Sequence, residues 1–178
     1  MNEYANTLAR ATRKMIEFYA GSLHDINHFL KVHAFAALIG RLEGLDDRTQ
    51  FILELSAIVH DIACPLCREK YGSAPGNRQE EESPALLKPF LAELKLAPED
   101  EVRVVFLVAH HHTTRGVDGP DWQILLEADY LVNADESRHT PRQIERFGAN
   151  VFRTSAGTDL LRSMYGGEGE PTRAAEAQ

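Results

Sequence analysis

The chain has 178 residues, enough for one domain with a real hydrophobic core and short of what two full-sized domains need. Its 43% apolar and 26% charged residues exclude wholesale disorder. A formal net charge of -8 and a pI near 5.5 argue against duplex nucleic acid as a partner, while leaving room for a small anionic ligand met by a local positive patch or a bound metal.

The N-terminal run MNEYANTLARATRKM lacks the apolar core of a signal peptide, and no later run approaches the roughly 20 apolar residues of a spanning helix. A cytoplasmic protein with no membrane partner is therefore expected. Cys64 and Cys67 are too few for a disulfide scaffold.

Apolar residues recur at helical spacing almost throughout, and no segment alternates with period two, so the prediction is an all-α, single-domain helical bundle. A first helix is expected over about Tyr4 to Ala20 and a second over about Asp25 to Leu42, with Leu30, Ala34, Ala37, Leu38 and Leu42 on its apolar side. A third starts at Asp46 or Asp47 and runs through FILELSAIVHD, the most continuously apolar stretch and the expected central helix. Residues 62 to 78, with CPLCREKYGSAPGNR, read as a long functional loop. Helices follow over about Glu80 to Leu94, from Pro98 to the histidine cluster, and from Pro120 through WQILLEADYLVNADE; 113 to 119 is again loop. Pro141 to Ala149 and Ala156 to Met164 are shorter terminal helices. The domain spans 1–166, and 167–178, without periodic apolar residues, reads as a flexible tail.

The informative positions are histidines and aspartates inside apolar helices, because burying such groups is costly unless something binds them. His60 and Asp61 close the most apolar helix, and imidazole nitrogen with ionised aspartate suits a transition metal. On the dipeptide alone, a hydrogen-bonded helix end is the better reading. Asp129 lies among Ile124, Leu125, Ala128, Leu131 and Val132, where it is either a ligand or a solvent-facing residue between apolar rows. His110, His111 and His112 fall where a helix ends; two of the three can serve one ion, and a solvated helix end is the other reading. His33 and His139 read as ordinary histidines, and His24, at a helix start, is undecided.

In the order H, HD, D, the residues His28 in INHFLKV, His60 and Asp61 in LSAIVHDIA and Asp129 in LLEADYLVN resemble the HD-domain superfamily of metal-dependent phosphohydrolases. The resemblance covers about residues 20 to 135. The stretches KYG at 70–72, QEEESP at 79–84, AHHHTT at 109–114 and VDG at 117–119 are similar to a group of small stand-alone HD proteins. It implies a helical bundle in which His28, His60, Asp61 and Asp129 surround one divalent ion. Asp61 would bridge to a second ion, with His110 and His111 at the positions of two successive histidines in two-metal relatives. His112 stands where those relatives carry a glutamate, Gln79 about where they carry another histidine, and Val132 in place of a lysine; the GYP triplet of the cyclic-dinucleotide enzymes is absent.

A mixed nitrogen and oxygen shell suits one or two ions of Mn, Fe, Co, Ni or Zn, and the expected activity is hydrolysis of a phosphate ester of a small molecule or nucleotide by metal-activated water. Asp61 and His112, the latter as a proton donor, are the expected catalytic residues, with Lys70, Arg78 and Arg115 as substrate contacts or, equally, ordinary solvated charges. A di-iron oxygenase and a non-catalytic nucleotide-binding module are the alternatives. Self-association into a homo-oligomer is compatible with the sequence. CPLC also admits a zinc or redox reading, but its surroundings lack the further ligands a metal site needs, and Cys64 reads better as a small apolar residue beside the metal loop.

Overall fold

In a computed structural model that describes residues 3–166, the chain is an all-α bundle, with nine helices and no strand among the described residues. They are α1 (Glu3–Phe18), α2 (Leu23–Leu42), α3 (Asp47–Val59), α4 (Cys64–Tyr71), α5 (Gly76–Ala92), α6 (Pro98–Val108), α7 (Pro120–Glu136), α8 (Pro141–Val151) and α9 (Ser155–Tyr165). The expected flexible tail at 167–178 lies outside the described residues.

Local chemistry sets most helix starts. Asp46 caps α3 by accepting from the backbone N–H groups of Arg48 and Thr49, and Thr140 and Gln143 form a reciprocal capping box on α8. Helices α4, α6, α7 and α8 carry proline in the first turn, where a missing N–H costs nothing.

The centre of the bundle is α2, α3 and α7, packed on one another; α1 and α6 cover α3, and α9 and α8 close over α7. Every residue of α3 from Phe51 to Val59 is buried, and α7 is buried from Ile124 to Val132. The stretch 47–71 is long and apolar enough to cross a membrane by length and composition, contrary to the sequence expectation, yet 78% of its most apolar window is buried, as a core helix requires.

Two expectations are corrected. The region 62–78 is not one loop: α4 occupies Cys64–Tyr71, and α5 begins at Gly76. Pro65 sits where a helix tolerates it, Gly72 ends α4 with a left-handed φ of 75°, and Pro75 in extended conformation leads into α5, so the turn-forming residues punctuate helices. The buried face of α2 is also rotated from the one its leucines suggested. Of the expected residues Ala37 is buried and Leu30 packs partly buried against the core, but Ala34, Leu38 and Leu42 are exposed, and the packed face carries Asp25, His28, Phe29, Val32, Ala36, Ala37, Ile39 and Gly40. That rotation turns His28 into the bundle.

Candidate metal centre

Four helices deliver the polar residues to one place. His28 comes from the second turn of α2, His60 and Asp61 from the turn that ends α3, His111 and His112 from the turn after α6, and Asp129 from the middle of α7. His28 Nε2 lies 3.3 Å from Asp61 Oδ2, 3.3 Å from Asp129 Oδ1 and 3.2 Å from His60 Nε2. His60 Nε2 is 3.5 Å from Asp61 Oδ2 and 3.4 Å from Asp129 Oδ1. The other oxygen of Asp61, Oδ1, faces His111 Nε2 at 3.6 Å. Two groups of donor atoms thus meet at Asp61: His28, His60 and Asp61 on one side, Asp61, His111 and His112 on the other.

The outer nitrogen of each buried imidazole is already engaged. His28 Nδ1 is 2.8 Å from Glu136 Oε2, His60 Nδ1 is 2.8 Å from the Ala57 carbonyl, and His111 Nδ1 is 2.7 Å from the Val108 carbonyl. Each partner is an acceptor, so each Nδ1 carries its proton and the Nε2 atom is the one presented inward. Lys31 holds Glu136 from the other side, at 2.9 Å.

Burial alone would force the carboxylates to stay protonated, but the facing imidazoles win. Asp61, beside His60, His111 and His28, and Asp129, beside His28 and His60, are both held well below the usual carboxylate range. Burial likewise disfavours charge on His28, and Asp129, Asp61 and Glu136 outweigh it and raise its pKa to about 9. His111 is raised too, against burial, chiefly by Asp61. The ring of His112 lies on that of His111, with centroids 4.0 Å apart; desolvation there and the charge of His111 lower it to about 4. Gly76 makes room for this ring, since a Cβ on residue 76 would stand 2.6 Å from His112 Cδ2.

These residues fit a divalent ion. The Nε2 atoms of three imidazoles converge with two ionised carboxylates, a donor set that suits a divalent ion, and His111 Nε2 is buried with no hydrogen-bond partner, as a nitrogen facing an ion would be.

Two cavities flank the cluster. One of about 200 Å³ is lined by His28, Asp61, Cys64, Arg68 and Glu136, the other, of about 390 Å³, by His111, His112, Asp129, Tyr130 and His139. Ala74, Gln79, Asn133 and Ser137 line both.

The structure brings together His28, His60, Asp61, His111, His112 and Asp129, and leaves His110 out. His110 Nδ1 returns to the Phe106 carbonyl at 2.7 Å and its ring stacks on Phe106 at 4.3 Å, beside Trp122, so the second donor group uses His111 and His112 in place of His110 and His111. The three cations expected to meet substrate are elsewhere. Lys70 pairs with Glu82, Arg78 pairs with Glu81 and lies over Tyr71, and Arg115 lines neither cavity. Arg68 is the one lysine or arginine, among the described residues, that lines either; Asp25 holds it through two hydrogen bonds of 2.8 and 2.6 Å. His139, read from sequence as ordinary, lines the larger cavity with Nδ1 3.2 Å from the Tyr130 hydroxyl.

Sequence reasoning missed Glu136, Asn133 and Arg68. For the first two a signal existed: Asp129, Asn133, Glu136 and Ser137 are spaced by four, three and one along α7, a polar stripe on one face of an otherwise apolar helix. Nothing in the sequence singled out Arg68, because its importance depends on α4, which was not expected to exist.

The chain matches no protein-family model and no curated protein. What stands on the chain's own residues is an all-helical bundle with a buried histidine and aspartate cluster able to hold a metal ion.

Proposed function

We propose that the chain is a metal-dependent phosphohydrolase of the HD-domain kind, cleaving a phosphate ester of a small molecule or nucleotide. The observation that supports this best is the division of Asp61: Oδ2 faces His28 and His60 while Oδ1 faces His111, so one carboxylate serves two donor groups beside an open cavity. A divalent ion held there would lower the pKa of water from about 15.7 towards neutrality, polarise a phosphoryl oxygen and offset negative charge on the leaving oxygen.

The chain's residues have distinct tasks in this scheme. Glu136 and the Ala57 and Val108 carbonyls aim three imidazoles, and those imidazoles keep Asp61 and Asp129 ionised. With its pKa near 4, His112 is neutral at neutral pH, which suits a ligand or a proton acceptor and disfavours the donor role expected from sequence. Arg68 replaces Lys70, Arg78 and Arg115 as the phosphate contact: Asp25 accepts one N–H from each of Nη1 and Nη2, and three of the five guanidinium N–H donors remain for a phosphate oxygen.

Elemental analysis of the purified protein and of His60→Ala and Asp129→Ala variants, beside phosphate release from a panel of phosphomonoesters, nucleotides and cyclic nucleotides, tests the proposal. Bound metal and phosphate release in the parent, both lost in the variants, are expected. Full metal content in both variants sinks the site, and iron with oxygen consumption but no phosphate release replaces the hydrolase with an oxygenase.

A further inference from the structure

The larger cavity does not end beside the cluster. Thr114, Tyr130, His139 and Phe147 line both it and a further groove of about 310 Å³, which Arg146 and Asn150 of α8 help to complete. On its other side the larger cavity shares Asn133 and Ser137 with the smaller one, so the three spaces adjoin in a row past the cluster. The two ends of that row differ in chemistry. Asp25, Asp61, Arg68 and Glu136 crowd the small cavity with charge. No carboxylate lines the groove at the far end, although the chain has 27 Asp and Glu against 19 Lys and Arg. Its wall is aromatic. Tyr130 and Phe147 stack with centroids 3.6 Å apart and planes 3° apart, and the His139 ring lies 5.5 Å from that of Tyr130. Phe147 and His139 are half-buried, so part of each ring faces the groove. Arg146 and Asn150 are exposed there, and their side chains hold no hydrogen bond or ion pair among the described residues.

We infer that this groove takes the alcohol portion of the ester, and that the alcohol carries a flat, weakly polar ring system. The inference rests on the phosphohydrolase reading and deepens it by naming which end of the substrate lies where. The phosphoryl group meets the cluster from the side of Arg68, and the ring lies beyond it against Phe147 and His139, within reach of Arg146. An apolar wall with a few polar groups at its edge is the lining that fixes a ring of this kind. A guanidinium without a partner stacks on the face of such a ring, an attraction that an alkyl group does not offer. A flexible alkyl chain also loses conformational freedom on binding, which a rigid ring does not. A small polyol has nothing to place in the groove.

Phosphate release by the full-length protein loaded with Mn(II) tests this, with naphthyl phosphate, adenosine monophosphate, hexyl phosphate and glycerol phosphate as substrates. At least one ring ester should exceed the hexyl and glycerol esters in kcat/KM by about tenfold or more, and the faster ring ester tells a nucleobase from an aryl alcohol. Thr114→Trp, which fills the groove from an exposed position, should cut that preference at least about tenfold. Arg146→Ala, a surface change that breaks no contact within the described chain, should lower it about threefold. Ligand-observed NMR of the metal-free protein with naphthol, adenosine, hexanol and glycerol gives a readout independent of turnover: a ring alcohol should show saturation transfer that Thr114→Trp removes. Release without ring preference, equal preference for the hexyl ester, or a ring preference that survives in both variants overturns the inference and leaves the phosphohydrolase reading standing. Ring binding without release from any ester overturns that reading and leaves the ring site standing. Neither binding nor release overturns both.

Discussion

Glu136 governs how His28 faces the candidate metal centre. Its Oε2 takes the His28 Nδ1 proton while Lys31 fixes its Oε1, so the ring can neither rotate nor change tautomer without breaking a bond. Glu136→Gln should reduce metal affinity by about 10- to 100-fold with unchanged helical content, measured by metal titration beside circular dichroism. The protonation of the cluster gives a second prediction. His28 has a folded pKa of about 9 against an ordinary 6.5, so its contribution to metal-free stability is complete below about pH 6.5 and lost as pH rises through 9. Asp61 and Asp129 are depressed, so theirs is present above about pH 4 and lost on acidification. A metal needs the His28 lone pair, and at pH 7.5 that atom still holds its proton. Binding of the first ion at that pH should release about one proton, read as a dependence of the calorimetric heat on buffer ionisation enthalpy, and the release should vanish near pH 10. At this scale much of the cluster was legible, because His28, His60, Asp61, His111 and Asp129 are costly residues in apolar helices. The choice between His110 and His112 was not, since α6 stops at Val108 and the turn that follows abandons the 100° rotation that would predict where each ring points.

Among the elements, α7 shows how one helix divides two carboxylates between helix docking and the candidate metal cluster. Two residues before Asp129, Glu127 is fully buried and turned away from the cluster. Its Oε1 accepts from the backbone N–H groups of Arg153 and Thr154 and from Gln123 Nε2, its Oε2 accepts from the Thr154 hydroxyl, and that hydroxyl caps α9. Gly157 lies against the same carboxylate, where a Cβ would collide with it. Glu127→Ala would strand several buried donors and should cost about 3 kcal/mol or more, seen as a fall in melting temperature of at least about 6 °C with metal affinity unchanged. The two carboxylates could not be told apart from sequence: each sits in ILLEADYLV, and which faces the site depends on where α9 docks. Helix existence was legible wherever apolar periodicity was long, as in α3 and α7. The short α4 was not, because its proline and glycine are equally good signals for a loop. The face of α2 was misjudged at Ala34, Leu38 and Leu42 while Ala37 is buried as expected; α3 packs where Gly40 lets Gln50 and Leu53 approach.

For the whole molecule, the position of the cluster would couple a bound metal to global stability. The donors come from α2, the end of α3, the end of α6 and α7, and the first three of these elements contact α3 or α7 across the centre of the bundle. An ion there ties together helices far apart in the chain and cannot remain bound once they separate, so it binds the folded state and not the unfolded one. It also would place positive charge at the centre of a chain of net charge -8, between two carboxylates that otherwise depend on the facing imidazoles for neutralisation. With free metal at 100 times its dissociation constant, the folded state should gain about 2.7 kcal/mol, which for a chain of this size raises the melting temperature by roughly 5–10 °C. The rise should grow with the logarithm of metal concentration, reverse on chelation, and be absent in His60→Ala, which removes a donor from the fully buried side of the cluster. A melting temperature indifferent to Mn, Co, Ni, Fe and Zn alike would mean that the cluster is held by its own protons, with protonated His28 as its cation at neutral pH.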